Sequence, residues 1–380
     1  MSDNTLPGIR EVTYAITPIE LFFDLVFAFA VSQLSHHLDT HLSMRGALET
    51  IVMLLTVLTV WSYTSWAATM IPAERARTRW MLLIVMLLGL FMNASITLAF
   101  TRSGWAFVLP LLVIQLGRTV WTIVSLDVPV RREHYQRVLV WFVVTTPLWL
   151  AGALAAANGR VMWWALASGV ELVGTWLAHP LPGRWLLSEN VGFDADHMLE
   201  RCRTFLLIAL GESILTTGSA IIDVSGMGLT LPTLVTGTLA MVATTALWAQ
   251  GFGRSNRIIR RHVERTNDPI HASRHAVNAM TLMVAGVIAL AVANQEVVSR
   301  PLGGTTWPLA LLLAGGPFLF LCAQGWYLWA VSAVRPRTHL VGAALFVPVG
   351  GVSLQLPPWG ALTLVALGLV LFAVSFNRAA

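Results

Sequence analysis

The sequence predicts an all-α fold, a polytopic integral membrane protein with about 12 transmembrane helices. Hydrophobic side chains make up 56% of its 380 residues and charged side chains only 11%, and the mean hydropathy is +0.71. This composition excludes a water-soluble globular protein. Apolar segments of about twenty residues, the length of a helix that crosses the hydrocarbon core, follow one another along the chain. They predict helices because backbone groups in lipid must be hydrogen-bonded within their own segment.

The distribution of basic residues predicts the orientation of these spans. All 24 are arginines, and they cluster in alternate loops. Arginine-rich loops face the cytoplasm under the positive-inside rule, so an even number of spans places both termini in the cytoplasm. Arginines that separate apolar spans set topology and do not indicate nucleic-acid binding. We therefore expect membrane lipid as a partner and no nucleic acid.

The longest polar segment divides the predicted spans into two groups. Residues 183–199 are predicted to form a cytoplasmic linker between six spans in residues 1–182 and six in residues 200–380. Both groups would begin in the cytoplasm, so two six-helix halves would be parallel repeats. The eleventh span, residues 338–354, is short and interrupted by Pro348, and it could be tilted, broken or re-entrant.

The first predicted span, residues 17–38, combines a spanning length with acidic side chains. Glu20 and Asp24 lie in its first turns and share a narrow sector of the helix with Phe27. A carboxylate in hydrocarbon costs about 2.5–3.5 kcal/mol on insertion scales. Two carboxylates on one helix face either form ion pairs that join helices or belong to a site that binds protons or substrate. The sequence leaves both interpretations open.

Arg118 is the arginine that the pattern of spans places deep in the bilayer. An unpaired guanidinium there is very costly, so it needs a carboxylate partner or an aqueous cavity. The candidate partners are Asp24, Glu171 and Glu212. Glu171 lies near the middle of the sixth span and is a second buried acid.

Polar residues run along the whole seventh predicted span at steps of three and four residues. A helix that is polar from end to end is expected to face a cavity or the bundle axis. Glu212 lies about 18 Å along this helix from Glu200, close to the midplane. Gly211 beside it would let another backbone come close, and Ser213 and Thr216 complete the candidate substrate- or proton-binding residues here.

The sequence predicts no metal site, no cofactor and no catalytic residue. Asp194, Asp196 and His197 resemble a metal-ligand set, but this spacing is more typical of a helix N-cap with an acidic first turn. HExxH and GxSxG motifs and a nucleotide-binding glycine loop are absent from the sequence.

Two stretches, ELFFDLVFAFAVSQLSHHL and HMLERCRTFLLIALGESILTTG, together with WSYTSW between them, resemble the bacterial low-temperature-requirement A (LtrA) family of multi-spanning membrane proteins. The resemblance implies a multi-pass protein of the bacterial cytoplasmic (inner) membrane. It implies no reaction, because the family name records a growth phenotype. The positions that match the motifs are Glu20, Phe23, Asp24, Phe27, Glu200, Arg201, Gly211, Glu212 and Ser213.

The buried charges favour a secondary transporter, proton-coupled in one version, for an unidentified small molecule. Its polar interior would contain Glu20, Asp24, Arg118, Glu171 and Glu212, on at least four helices. One alternative is a non-transporting receptor, scaffold or lipid-binding protein whose buried charges only fix helix register. Another is an intramembrane enzyme that acts on lipid. A water-accessible vestibule to Glu212 would favour transport, a lateral opening to lipid would favour the enzyme, and a sealed, fully paired polar core would favour the scaffold.

Overall fold

The computed structural model describes residues 16–71, 75–181, 194–224, 230–263 and 268–378. These residues form 14 helices, which confirms the predicted all-α fold. The helices are α1 (Pro18–Thr40), α2 (Met44–Met70), α3 (Ala76–Ala94), α4 (Ile96–Ala99), α5 (Trp105–Ser125), α6 (Pro129–Leu154), α7 (Ala157–Trp176), α8 (Ala195–Val224), α9 (Leu231–Gly251), α10 (Arg254–Val263), α11 (Pro269–Ser299), α12 (Trp307–Ser332), α13 (Arg337–Ser353) and α14 (Pro358–Arg378).

Ten helices in the described part of the chain are long and apolar enough to cross a membrane. Each of the 12 predicted spans coincides with a helix, and α7 and α13 are the two outside this group of ten. Helix α13 has 17 residues, or about 25 Å at 1.5 Å per residue, less than the hydrocarbon core of about 30 Å. Helix α7 contains Arg160 and Glu171 among its 20 residues.

Capping residues set where several helices begin. Asp268 precedes α11 and accepts the backbone N–H of His271 at 3.0 Å. Ser43 does the same for α2, accepting from the N–H of Gly46 at 3.1 Å. Pro269 occupies the start of α11, where its missing N–H would have no helical partner. These caps satisfy backbone donors that the first turn of a helix leaves open.

Helices α2 and α11 are the most enclosed, while several others expose apolar side chains on their outer faces. Helix α11 packs closely along α12 and α8. A Cβ at Gly286 of α11 would lie 2.6 Å from the carbonyl oxygen of Gly316 in α12, so glycine is required for this approach. The exposed apolar residues, such as Val144 and Ile222, suit a surface in contact with lipid.

Two segments between the predicted spans differ from expectation. Residues 182–193, most of the predicted linker, lie outside the described residues, and α8 begins at Ala195, inside that linker. The division into two parallel halves therefore stays a prediction. The arginine-rich loop after α9 contains helix α10, which buries Ile259 and Val263 and exposes Arg261. Ten residues were too few and too polar to read as a helix from hydropathy alone.

Candidate functional site

Two acidic residues of α1 meet an arginine of α8 in a buried cluster. Arg201 Nη2 lies 2.6 Å from Asp24 Oδ1, and Arg201 Nη1 lies 3.1 Å from Glu20 Oε1. All three side chains are at most 1% exposed. Glu20 and Asp24 are four residues apart and share a helix face, which lets one guanidinium bind both carboxylates. The cluster joins α1 to α8 through the interior.

Neutral side chains complete the surroundings of these carboxylates. Trp61 Nε1 donates to Asp24 Oδ1 at 2.7 Å. The hydroxyl of Thr17 donates to Glu20 Oε2 at 2.8 Å, and His197 Nε2 lies 3.4 Å from the same oxygen. Each carboxylate therefore has a cation and further polar contacts, which a buried ion pair requires. Sequence analysis did not place Trp61 or His197 here, although both lie in segments that carry the family resemblance.

Aromatic rings cover the guanidinium. The ring centres of Phe23 and Trp61 lie 5.6 Å and 5.8 Å from the guanidinium carbon of Arg201, within cation–π distance. The ring of Phe27 follows at 4.8 Å from that of Phe23. These three rings are fully buried. The motif positions of α1 thus form a sealed, paired polar core with Arg201.

The remaining motif and candidate positions of α8 lie outside this cluster. Glu212 is partly exposed, and its carboxylate makes no hydrogen bond or ion pair with another described residue. Ser213 is buried, and the Thr216 hydroxyl donates to the backbone carbonyl of Glu212 at 2.9 Å. A Cβ at Gly211 would meet no atom within 4 Å, so the predicted close approach of a second backbone is wrong. The reason is that this part of α8 faces outward, with Leu215 66% exposed.

Glu200, the other acidic motif position of α8, lies at the partly exposed surface. Its Oε2 is 2.7 Å from Arg203 Nη1, and the two side chains are 45% and 32% exposed. One turn of α8 therefore carries a buried ion pair and a surface ion pair side by side.

Arg118 makes no ion pair with the carboxylates that the sequence offered as partners. Within the described residues, none of Asp24, Glu171 and Glu212 accepts a hydrogen bond from it or lies within ion-pair distance. The side chain is nevertheless 3% exposed and does not point into lipid. The predicted burial is confirmed, and the predicted pairing is not.

Neutral groups of α2 and α6 hold Arg118 instead. Its Nη1 donates to the backbone carbonyl of Val60 at 3.1 Å and to the Thr64 hydroxyl at 3.2 Å. The rings of Tyr63 and Phe142 lie 5.6 Å and 5.7 Å from the guanidinium carbon. Carbonyl oxygens and aromatic faces both attract a cation, so they replace the carboxylate that the sequence suggested.

Glu171 is buried among neutral hydrogen-bond donors from α5 and α6. Gln115 Nε2 donates to Oε2 at 3.0 Å, while the Thr145 hydroxyl and Trp149 Nε1 donate to Oε1 at 2.9 Å and 2.8 Å. The residue is 3% exposed. None of these partners carries a charge. Glu171 therefore differs from Glu20, whose charge an arginine compensates.

A second polar cluster lies where α2 and α7 end. The Tyr63 hydroxyl is 2.8 Å from both His179 Nε2 and Thr175 Oγ1. The ring of His134 lies 6.0 Å from that of His179. Burial, with smaller contributions from His134 and Arg274, lowers the pKa of His179 well below its usual value, so its imidazole is neutral at pH 7. Helical periodicity provided no signal for His179, because this residue follows the end of α7.

The backbone that carries this histidine is strained. Ala178 and His179 have φ values of 57° and 55°, in the left-handed region that favours glycine. Each such residue costs on the order of 1–3 kcal/mol unless the surroundings hold it in place. Here Arg274 Nη1 donates to the carbonyl of Trp176 at 2.9 Å, and Trp141 Nε1 donates to that of Pro180 at 3.1 Å. Side chains of neighbouring helices thus hold the strained segment from both sides.

A further ion-paired network, at the opposite end of α2, was missed by the sequence analysis. Glu49 Oε1 is 2.7 Å from Arg45 Nε, and Oε2 is 3.1 Å from His37 Nε2. Arg45 also donates to Asn158 Oδ1 at 2.7 Å. The (i, i+4) spacing of Arg45 and Glu49 was the available signal. This network joins α1 and α2 to the start of α7.

The predicted capping role at the start of α8 is confirmed. Asp194 Oδ1 accepts the backbone N–H of His197 at 3.0 Å. Among the residues that the structure describes, no group of three or more His, Cys, Asp or Glu side chains is arranged to hold a metal ion.

The long apolar helices and the charged side chains between them define a multi-pass α-helical membrane protein with an ionisable interior. The model of the family "Bacterial low temperature requirement A protein (LtrA)" matches residues 15–374, so the chain belongs to this family. It is also 28% identical over 334 residues to a protein of Rhizobium meliloti (strain 1021) that is itself uncharacterized, covering 86% of this chain and 80% of that one. The family resemblance found from the motifs is confirmed.

Proposed function

We propose that the protein is a secondary transporter that couples the movement of a small molecule to the movement of protons. The observation that supports this most directly is Glu171, a buried acid whose three hydrogen-bond partners are all neutral. Ionisable residues inside a membrane protein commonly mark proton or substrate pathways. A carboxyl group without a cation at hydrogen-bond distance is poised to change its protonation when its surroundings change.

The donors around Glu171 can serve both of its protonation states. An ionised carboxylate only accepts hydrogen bonds, whereas the acid form also donates one. The Thr145 hydroxyl can rotate from donor to acceptor, while Gln115 Nε2 and Trp149 Nε1 keep donating. Neither state therefore needs to leave a buried polar group unpaired, which would cost about 1–3 kcal/mol.

Arg118 is the proposed contact for an anionic group of the substrate. Its Nη1 binds Val60 and Thr64, but its buried Nε has no hydrogen-bond partner among the described residues. A guanidinium held by a backbone carbonyl and a hydroxyl keeps its full charge available to a ligand. Together, Glu171 and Arg118 would supply a proton acceptor and an anion contact on neighbouring helices.

The cluster of Glu20, Asp24 and Arg201 would act as a closed contact between α1 and α8. Its paired charges are shielded by aromatic rings, so it cannot exchange protons while it stays intact. Alternating access would require this contact to open in another state of the protein.

The membrane and the orientation are part of the same proposal. We place the protein in the bacterial inner membrane with both termini in the cytoplasm, where the arginines around α10 would lie near anionic lipid. A reporter that is active only in the cytoplasm should be active when it is fused to the loop around α10, and one that is active only outside the cytoplasm should be inactive there. The reverse result would invert the topology.

The test of transport is proton movement in liposomes reconstituted with purified protein. Pools of anionic, cationic and amphipathic compounds are added outside, and an enclosed pH dye records substrate-dependent acidification. We expect a response with wild-type protein that is lost in Glu171→Gln and kept in Asp127→Asn, a matched control whose side chain is 86% exposed. An unchanged response in Glu171→Gln would contradict the proposal.

A scaffold or receptor is the second candidate, favoured by the sealed, fully paired Arg201 cluster. In that case the buried charges fix which helices pack together and move no solute. Radiolabelled-substrate exchange separates the two candidates, because a scaffold gives none with any compound.

A further inference from the structure

We propose that His179, Tyr63 and Thr175 form the path by which protons travel between the cytoplasmic end of the bundle and Glu171. This inference rests on the proposed function, since it names the route to the acid that would couple transport to protons. Three observations support it: the hydrogen bonds that link His179, Tyr63 and Thr175, a water-sized cavity beside them, and a strained backbone that positions the histidine.

The hydroxyl of Tyr63 links the two other members of the path. It lies 2.8 Å from His179 Nε2 and 2.8 Å from Thr175 Oγ1. A phenol between an imidazole and an alcohol can take a proton from one neighbour while its own proton passes to the other. Each group then regains its original proton count as the next transfer follows, so no charged intermediate has to persist on Tyr63. Tyr63 and His179 are buried, and Thr175 is partly buried.

The spacing along α7 leads from this chain toward Glu171. Thr175 follows Glu171 by one turn, or about 6 Å, and the Thr175 hydroxyl also lies 3.0 Å from the backbone carbonyl of Glu171. His179 lies four residues further on, beyond the end of the helix. The three residues therefore form a line from the interior to the end of the bundle where α6 and α11 begin.

A cavity of about 30 Å³ lies beside the chain, between α2, α7 and α11. Tyr63, Thr175, Ser62 and Asn278 line it, and Asn278 Nδ2 has no hydrogen-bond partner among the described residues. A cavity of this size, with these polar groups in its partly apolar lining, has room for about one or two water molecules. Water there would extend the hydrogen-bonded path from Tyr63 and Thr175 as far as Leu172, the residue that follows Glu171 and also lines the cavity.

The other end of the path reaches His134 near the start of α6. Its ring lies 6.0 Å from the ring of His179, whose Nδ1 is buried without a hydrogen-bond partner in the described structure. Arg274 from α11 and Arg118 from α5 are the charged neighbours that face this cluster. The positive charge of Arg274 disfavours a resident proton on the histidine, which suits a group that passes protons on.

The backbone supplies an independent argument. Two consecutive residues with positive φ, Ala178 and His179, turn the chain back into the bundle after α7. Backbone strain of this kind concentrates at functional sites, where it holds a side chain that a relaxed turn would place elsewhere. Here it places the imidazole against the hydroxyl of Tyr63.

The experiment compares proton coupling with substrate exchange in reconstituted liposomes. Tyr63→Phe removes the central hydroxyl and keeps the ring. Tyr135→Phe is the matched control, because Tyr135 is equally buried on α6 and its hydroxyl has no partner among the described residues. We expect Tyr63→Phe to lower substrate-driven proton flux about 100-fold, in the range that a proton-transfer group contributes. Counterflow exchange of labelled substrate, which needs no net proton movement, should persist, and Tyr135→Phe should change neither.

A second pair of variants guards against misfolding. Thr175→Val removes the hydroxyl at nearly constant volume and should uncouple transport, whereas Thr175→Ser should keep it coupled. Proton flux at the wild-type ratio in Tyr63→Phe or in Thr175→Val would overturn the path and leave the transporter proposal standing. Absence of any substrate-linked proton movement in the wild type would overturn both.

Discussion

Replacing Arg201 with methionine should destabilise the protein more than any other single change in α8. Arg201→Met keeps the apolar stem but leaves Glu20 and Asp24 buried without the guanidinium that both bind. Breaking a buried ion pair by removing one partner costs about 3–5 kcal/mol, and we expect the upper end, about 5 kcal/mol, because two carboxylates lose the same partner. The free energy of unfolding, measured by SDS titration in mixed micelles, reports this loss.

Arg203→Met on the same helix turn is the matched control. Its ion pair with Glu200 is partly exposed, and surface pairs contribute about 0–1 kcal/mol. Combining Arg201→Met with Asp24→Asn removes one of the two carboxylates that Arg201→Met leaves unpaired. The double variant should therefore lose less unfolding free energy than the sum of the losses in the two single variants. If Arg201→Met costs no more than Arg203→Met, the reasoning about the buried cluster is wrong.

Three further outcomes are expected from other parts of the chain. Glu212→Gln should leave the free energy of unfolding within about 0.5 kcal/mol of wild type in the same titration, because its carboxylate is partly exposed and has no described partner; a loss of several kcal/mol would reveal a partner. Ala178→Gly should stabilise the protein by about 0.5–1 kcal/mol. Glycine adopts a positive φ without the steric cost that alanine has, but its larger loss of conformational entropy on folding offsets part of this gain. A drop in stability would show that Ala178 is not strained. Glu49→Gln should destabilise the protein by about 1–3 kcal/mol because the buried Glu49 carboxylate loses its charged contacts with His37 and Arg45, and an unchanged unfolding curve would contradict that.

The fold could be predicted from the sequence because the length and hydropathy of apolar segments identify membrane helices. The same signal fails for α10, which is short and arginine-rich, whereas the short eleventh span was predicted with nearly the bounds of α13. The face shared by Glu20 and Asp24 was also readable, since helical periodicity fixes it. Periodicity is a local property, and these successes are all local.

The partners of the buried charges could not be predicted, because they depend on which helices lie side by side. Arg201 follows Asp24 by 177 positions, and nothing within either segment says that they meet. Arg118 was expected to find a carboxylate, but α2 presents the Val60 carbonyl and the Thr64 hydroxyl at the place where the guanidinium arrives. A single sequence shows that a buried charged side chain needs a partner, but it does not show which neighbouring residue is that partner.

The contact between Gly286 and Gly316 limits how the protein can change shape. Each glycine lies so close to the opposing carbonyl oxygen that a methyl group would clash, and the two contacts are reciprocal, at 2.6 Å and 2.8 Å. Helices in such contact cannot slide along each other without first separating, so we expect α11 and α12 to stay together in any change of shape. Any opening of the interior would then occur at the interfaces around this pair, and we expect it at the contact between α1 and α8, which ion pairs of Arg201 hold together.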